Sequence, residues 1–438
     1  MDGRKVTPAH GLTDWSIVAI FVLVYLGMVL GGLPRLKLDR SGVALLGAIA
    51  VIGLGAMGTE QAARAVDLPT VLLLFSFMVV SAQMRLGGFY TAVTRRVAAL
   101  PLGRNALLGA IIGVAGALSA VFSNDIICLA MTPVVAQLCL QRRLNPVPFL
   151  LGLACAANIG SAATLIGNPQ NMLIGSVLHL PFGGYVRQAL PPVLLSLLLL
   201  WAWLVWGPGA REAASSDLQA GAALESPGGT PTAMPESFAE SDDPLQAPPF
   251  DAWQTTKGLC VAIALLLVFL FTDWPRDVAA LVGAGVLLLS RRLHSSHVMG
   301  FVDWQLLVLF MGLFVVNHAF ESTGLAAQAV TLLGAFGVHL ADPGPLFVAG
   351  VGLSNLVSNV PAVMLLLPHV KGMASGVTLA LVSTLAGNLL LVGSIANLIV
   401  VDLAQKSGIR IDWRMHARVG VPVTVLTLAV VWVWLAWL

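Results

Sequence analysis

Apolar runs of about 15 to 25 residues recur from one end of the 438-residue chain to the other, and they limit what it can fold into more than any motif does. A segment in lipid must satisfy every backbone N–H and C=O from within the protein, which leaves helices or a closed barrel. The short alternating strands of a barrel are absent, so the runs read as helices. Only 10% of the residues are charged, against about a quarter in soluble domains, and no basic run marks a nucleic-acid surface. The fold class expected is an all-α polytopic membrane protein. Spans are expected at 15–33, 41–58, 68–86, 147–180 (interrupted), 189–207, 256–272, 276–290, 303–322, 376–400 (interrupted) and 417–437. The first run reads as a spanning helix and not as a signal peptide. Cys128, Cys139, Cys155 and Cys260 lie in apolar segments without CxxC spacing and read as small buried hydrophobes.

One segment is of different material. Residues 208–250 hold seven prolines and seven acidic residues against one basic residue, Arg211. With so few aliphatic residues it reads as a flexible, solvent-exposed cytoplasmic linker between membrane units 1–207 and 251–438.

The two units match each other. "VFSNDIICLAMTP" (121–133) aligns without a gap on "LVSNVPAVMLLLP" (356–368), and Ser119 falls on Ser354 at the same shift of 235 residues. Upstream, Asp67 pairs with Asp303 and Gly88 with Gly324. Downstream, "IGNPQN" (166–171) resembles "VGSIAN" (392–397). Blocks 104–140 and 343–370, with a Ser-Asn pair in the middle of each, read as hairpins that enter and leave on one face. Five spans then precede the linker, so the second unit is inverted. With the N-terminus outside, 17 of the 23 Lys and Arg fall on the cytoplasmic side, as the positive-inside rule requires. The expectation is two inverted repeats, each with a re-entrant hairpin and an interrupted helix: about 10 spans plus 2 hairpins.

Inverted repeats with broken helices are transporter architecture, because unwound backbone at membrane depth is tolerated where it lines a cavity. The four interruptions are the tips Ser123-Asn124-Asp125 and Ser358-Asn359-Val360 and the breaks "NIGSAATLIGNPQN" (158–171) and "GNLLLVGSIAN" (387–397). Ser and Asn oxygens and freed carbonyls suit Na+, and helix N-termini suit an anion. Gly160, Gly167 and Gly393 allow close backbone approach, and Pro169 breaks its helix. Singly, such residues pack helices together; two motifs at equivalent places, each followed by a glycine-rich break, point to a site. Three roles stand open for Asp125: cation ligand, proton carrier, or protonated cap of the following helix. Asn317, His318 and Glu321 read as lining the outer water boundary.

At these residues the chain resembles the ion transporter superfamily: citrate-transporter-like permeases, divalent anion/sodium symporters and arsenite permeases. The likeness covers both units. It implies a homodimer whose transport part carries solute past a scaffold by an elevator motion. By motif match, it implies one cation site at Ser119, Ser123, Asn124 and the Gly167 turn, with Asn171, and a second at Ser354, Asn359 and the Gly393 turn, with Asn397. The solute then lies between the tips, at Ser123, Asn124, Asp125, Ser358, Asn359 and Val360, with Thr164, Asn168 and Ser394. The dicarboxylate symporters carry Ser-Asn-Thr at both tips. Here the third residues are Asp125 and Val360, so a carboxylate would repel a dianion and a valine offers no hydrogen bond. "SND" followed by "TP" is closer to the first motif of the arsenite permeases.

The function expected is therefore cation-coupled secondary transport of an anion or oxyanion-type solute, driven by Na+ or H+, in the plasma (inner) membrane, with arsenite or antimonite efflux as the alternative. No cofactor is expected beyond Na+ as coupling ion, and no nucleic-acid partner. A passive channel, whose flux would be uncoupled, and an intramembrane enzyme are the less expected classes; for the enzyme there is no HExxH and no second intramembrane Asp to pair with Asp125.

Overall fold

A computed structural model describes residues 11–33, 38–207, 250–290 and 292–437. The expected linker, 208–250, lies outside the described residues apart from Phe250.

Each apolar run becomes a helix that ends where the sequence stops supplying donors or changes chirality. The first is α1 (Leu12–Leu30), closed by Gly31 in the left-handed conformation at φ 76°. A two-residue antiparallel pairing, Gly32–Leu33 with Leu38–Asp39, turns the chain into α2 (Arg40–Gly53), whose first turn is capped by the Asp39 carboxylate. After α3 (Thr59–Ala65), Asp67 caps α4 (Leu68–Leu86). The first hairpin block is α6 (Arg104–Ser119) and α7 (Asn124–Gln141), after α5 (Phe89–Ala99). The first interrupted span is α8 (Pro146–Ser161) and α9 (Pro169–Val177), and α10 (Phe182–Trp206) closes the unit.

The second unit repeats this order. α11 (Ala252–Phe271), α12 (Arg276–Leu288) and α13 (Ser295–Met299) lead to α14 (Trp304–Ser322), capped by Asp303. α15 (Leu325–Ala335) precedes the second block, α16 (Pro343–Val357) and α17 (Asn359–Leu366). The second interrupted span is α18 (Gly372–Ala386) and α19 (Ile395–Lys406), with a 3₁₀ turn at Leu391–Gly393 between them, and α20 (Trp413–Ala436) ends the fold. Seven of these helices (α1, α4, α7, α10, α11, α14 and α20) are long and apolar enough to cross a bilayer.

Three details depart from the sequence reading. α5 and α15 lie where no span was expected, after Gly88 and Gly324, both left-handed. At 11 residues each they are too short to register as spans, and α5 carries exposed Arg95 and Arg96 opposite buried Tyr90, Thr91 and Thr94. Cys260 is exposed on α11 while the other three cysteines are buried. Asn317 is buried and accepts a hydrogen bond from Tyr25 at 2.9 Å, while His318 and Glu321 are exposed.

The closest helix pairings fall into two groups. In one, α4 packs on α12 and α14 on α2, with α1 and α11 alongside. In the other, α6 packs on α8, α16 on α18, α7 on α19 and α10 on α20. The second group holds both tips and both breaks. α8 approaches α6 backbone to backbone: a Cβ on Gly160 would overlap the Gly116 peptide. At the far end, the Arg142 guanidinium donates to the carbonyls of Ala98, Leu100 and Leu102, so α7 finishes beside the start of α6.

Candidate solute and cation site

The first tip meets the first break directly. Asn124 opens α7, and its amide donates to the Gly167 carbonyl at 3.3 Å. Thr164 donates its hydroxyl to Ala120 O. Gly167 is wedged so tightly that a Cβ there would overlap the carbonyls of Ser161 and Ser119, so the glycine is required by space. Asn168 caps α9 by accepting from Asn171 N at 2.9 Å, and Pro169 follows where its missing N–H costs nothing. Asn171 donates to Thr164 O and to the Tyr185 hydroxyl, which itself donates to Ala162 O at 2.8 Å.

The second tip meets the second break in the same manner. A Cβ on Gly393 would sit 3.1 Å from Gly387 O and 3.2 Å from Asn355 Oδ1, and one on Gly387 3.0 Å from Asn359 Nδ2. Asn397 donates to Gly387 O at 3.0 Å and Leu390 O at 3.3 Å. The tips differ in backbone. Ser358 stands at φ 77°, ψ 160°, a region that glycine alone occupies freely and that costs another residue about 1–3 kcal/mol, whereas Ser123 is relaxed at φ −57°.

The two halves are joined through side chains that the sequence reading passed over. Asn158, on the last turn of α8, accepts from Asn124 Nδ2 at 2.9 Å and from Ser394 Oγ at 3.0 Å. It donates to Asn388 Oδ1 at 2.8 Å and Asn397 Oδ1 at 3.2 Å. Thr384 of α18 accepts from Asn168 and Gln170, both at 3.2 Å. His416 of α20 contacts Asn388 O at 3.0 Å. Asn158 and Asn388 each stand near the start of the quoted breaks, a correspondence the alignment of the later "GN" and "GS" residues left aside.

Of the expected residues, Asn124, Asn168, Asn171, Ser394 and Asn397 thus enter one buried hydrogen-bonded network, and Thr164 and Gly167 bind the tip to the break. Ser119 and Ser354 are fully buried, each with its hydroxyl unpartnered, and so are Asn124 Oδ1, Asn355 Oδ1 and Asn359 Oδ1. Val360 is buried on α17, and Ser123, Ser358 and Asp125 are half-buried. The Asp125 carboxylate makes no hydrogen bond or ion pair among the described residues. The N-termini of α7, α9, α17 and α19 all begin at these tips and breaks, and no Lys or Arg enters the network. The arrangement is uncharged apart from Asp125, rich in oxygen acceptors, and supplied with positive helix-dipole ends.

Comparison with known proteins agrees in kind. Residues 21–386 match the family described as citrate transporter. The silicon efflux transporter LSI3 of Oryza sativa subsp. japonica is 30% identical over 94% of this chain and 95% of its own. The inner membrane protein YbiR of Escherichia coli is 31% identical over 80% of this chain and 83% of its own. The crystal structure of the Alcanivorax borkumensis YdaH transporter superposes with a TM-score of 0.51 at 14% identity, covering 98% of each chain, which is a likeness of fold.

Proposed function

This chain belongs to the citrate transporter family, within the ion transporter superfamily, and is a multi-pass integral membrane transporter; from that premise we propose that it is a sodium-coupled secondary transporter of an oxyanion-type solute. The observation that carries the proposal is the set of buried, unpartnered oxygens at both tips. Ser119 Oγ and Asn124 Oδ1 stand at the first, beside Gly167 and the Ser119 and Ser161 carbonyls. Ser354 Oγ, Asn355 Oδ1 and Asn359 Oδ1 stand at the second, where Asn355 lies beside Gly393 and Asn359 beside Gly387. A buried acceptor left without a partner costs about 1–3 kcal/mol, so five at two equivalent places call for a ligand. Uncharged hard oxygens at broken helices fit sodium.

The solute sits between the tips, against Ser123, Asn124, Asp125, Ser358, Asn359 and Val360, with Thr164, Asn168 and Ser394 behind them. With Asp125 present and no Lys or Arg in the network, the site disfavours a dianion. It suits a weakly acidic hydroxylated solute that can donate an O–H to the Asp125 carboxylate. The silicon named for the rice relative and the arsenite of the resembled permeases are solutes of this kind, and efflux of such a species is the second reading.

The reciprocal pairings α4 with α12 and α14 with α2 support an inverted repeat, and the meeting of α7's end with α6's start supports a first hairpin that returns to its own face. On this topology, in an inner membrane and as a homodimer, the group holding the tips moves against the other as an elevator. A thermal-stability screen of the purified protein tests the site. Oxyanions such as arsenite and silicate, each with sodium chloride, should raise the melting temperature more than the same solutes with choline chloride. Stabilisation by di- or tricarboxylates alone, indifferent to sodium, would contradict the proposal.

A further inference from the structure

Asn158 has one carboxamide, and all of its hydrogen-bonding capacity joins the two halves of the site. Its oxygen takes Asn124 Nδ2 (2.9 Å) from the first tip and Ser394 Oγ (3.0 Å) from the second break. Its nitrogen gives one hydrogen to Asn388 Oδ1 (2.8 Å) and the other to Asn397 Oδ1 (3.2 Å), both of the second break. The side chain is 1% exposed, so no water competes for these bonds. Asn124 meets the Asn158 oxygen with a nitrogen, and Asn388 and Asn397 meet its nitrogen with oxygens, so flipping the Asn158 amide would set like against like in these three contacts, while the Ser394 hydroxyl could serve either orientation.

This has two consequences. First, Asn124 must offer its nitrogen to Asn158, which leaves its oxygen, buried and unpartnered, for the first cation pocket. Second, Asn397 must offer its oxygen to Asn158, so its nitrogen holds the Gly387 and Leu390 carbonyls that shape the second break. We propose that Asn158 is the positioning residue that couples the two cation pockets. It orients the Asn124 oxygen toward the first pocket and, through the opposite edge of the same amide, makes occupancy of that pocket depend on the geometry of the second break. The inference rests on the sodium-coupled reading above and adds the means by which the two pockets sense each other.

The test is the sodium dependence of solute uptake by the full chain in proteoliposomes. Wild type gives a sigmoidal dependence with a Hill coefficient above one. Asn158→Ala removes both functions. The sodium concentration for half-maximal rate rises about tenfold, as expected for one lost orienting hydrogen bond, and the Hill coefficient falls to one. The solute KM at saturating sodium moves less. Asn158→Asp separates the two functions. It keeps the acceptor used by Asn124 and loses the donors to Asn388 and Asn397, so its half-maximal sodium concentration is no higher than wild type while its Hill coefficient still falls to one. Cys155→Ala, one turn earlier on α8 and outside the network's side chains, behaves as wild type. Wild-type sodium curves in the two Asn158 variants overturn the inference, as does an Asn158→Ala in which sodium and solute dependence worsen by the same factor, the mark of a loosened fold. A wild type that transports without regard to sodium overturns the sodium-coupled reading as well, which separates that failure from this one.

Discussion

Asp125 is the carboxylate that the repeat does not predict. Its partner position in the second unit is Val360, and nothing among the described residues pairs with it. It lies in the first turn of α7, where an acidic residue gains about 0.3–1 kcal/mol from the helix dipole, so its structural contribution is small. An ionisable side chain within a membrane helix is by default a functional-site hypothesis, and on the proposed reading Asp125 carries the coupling charge. Asp125→Asn is therefore expected to abolish concentrative uptake while changing unfolding stability by less than about 1 kcal/mol. A variant that still accumulates solute as wild type does would remove the coupling role. At this scale the sequence was partly legible. Ser119, Asn124 and Gly167 could be named because a duplicated motif marks them. Asn158 could not, because a single asparagine at the end of an apolar helix looks the same whether it packs or relays. The strained Ser358 backbone was equally hidden, since it stands in the same Ser-x-x-x-Ser-Asn motif as the relaxed Ser123.

Helices broken or bent by proline must recover the carbonyls that proline frees, and α10 and α20 do this for each other. Pro192 cannot donate to Gln188 O, and Trp434 of α20 supplies an indole N–H there at 2.9 Å. Pro422 cannot donate to Arg418 O, and Trp203 of α10 supplies one at 3.2 Å. The start of α10 thus lies against the end of α20 and the reverse, so these two closing helices are antiparallel and bonded at both ends. Trp434→Phe keeps the ring and loses the donor. It is expected to lower unfolding stability in detergent by about 1–2 kcal/mol, with Trp203→Phe costing less at its more exposed carbonyl. Unchanged denaturation for Trp434→Phe would show that water or lipid replaces the bond. The spans themselves were readable from apolar length. α5 and α15 were missed because an 11-residue helix of this kind has neither the length of a span nor the polarity of a loop. The two breaks were found because glycine, asparagine and proline interrupt an otherwise continuous run.

On the scale of the whole molecule, several helix pairings connect the group holding the tips to the other among the described residues. One lies at the end of α9, where Ser176 donates to the Asp67 carboxylate at 3.2 Å and Arg276 donates to Gly175 O at 2.6 Å. Asp67 and Arg276 begin α4 and α12, a mutually packed pair of the opposite group. Those bonds would break in the proposed sliding of the groups past each other. The charge pattern around the linker and the shift of 235 residues point to two units in the sequence itself. The side-chain network that joins them arises from tertiary packing and has no signature along the chain. The central claim, that a sodium gradient drives an oxyanion-type solute through this site, is met most directly by proteoliposomes holding the purified protein. An inward sodium gradient should drive arsenite or silicate above its external concentration and collapse that accumulation when a sodium ionophore is added. Equilibration without accumulation, unaffected by the gradient or the ionophore, would contradict it.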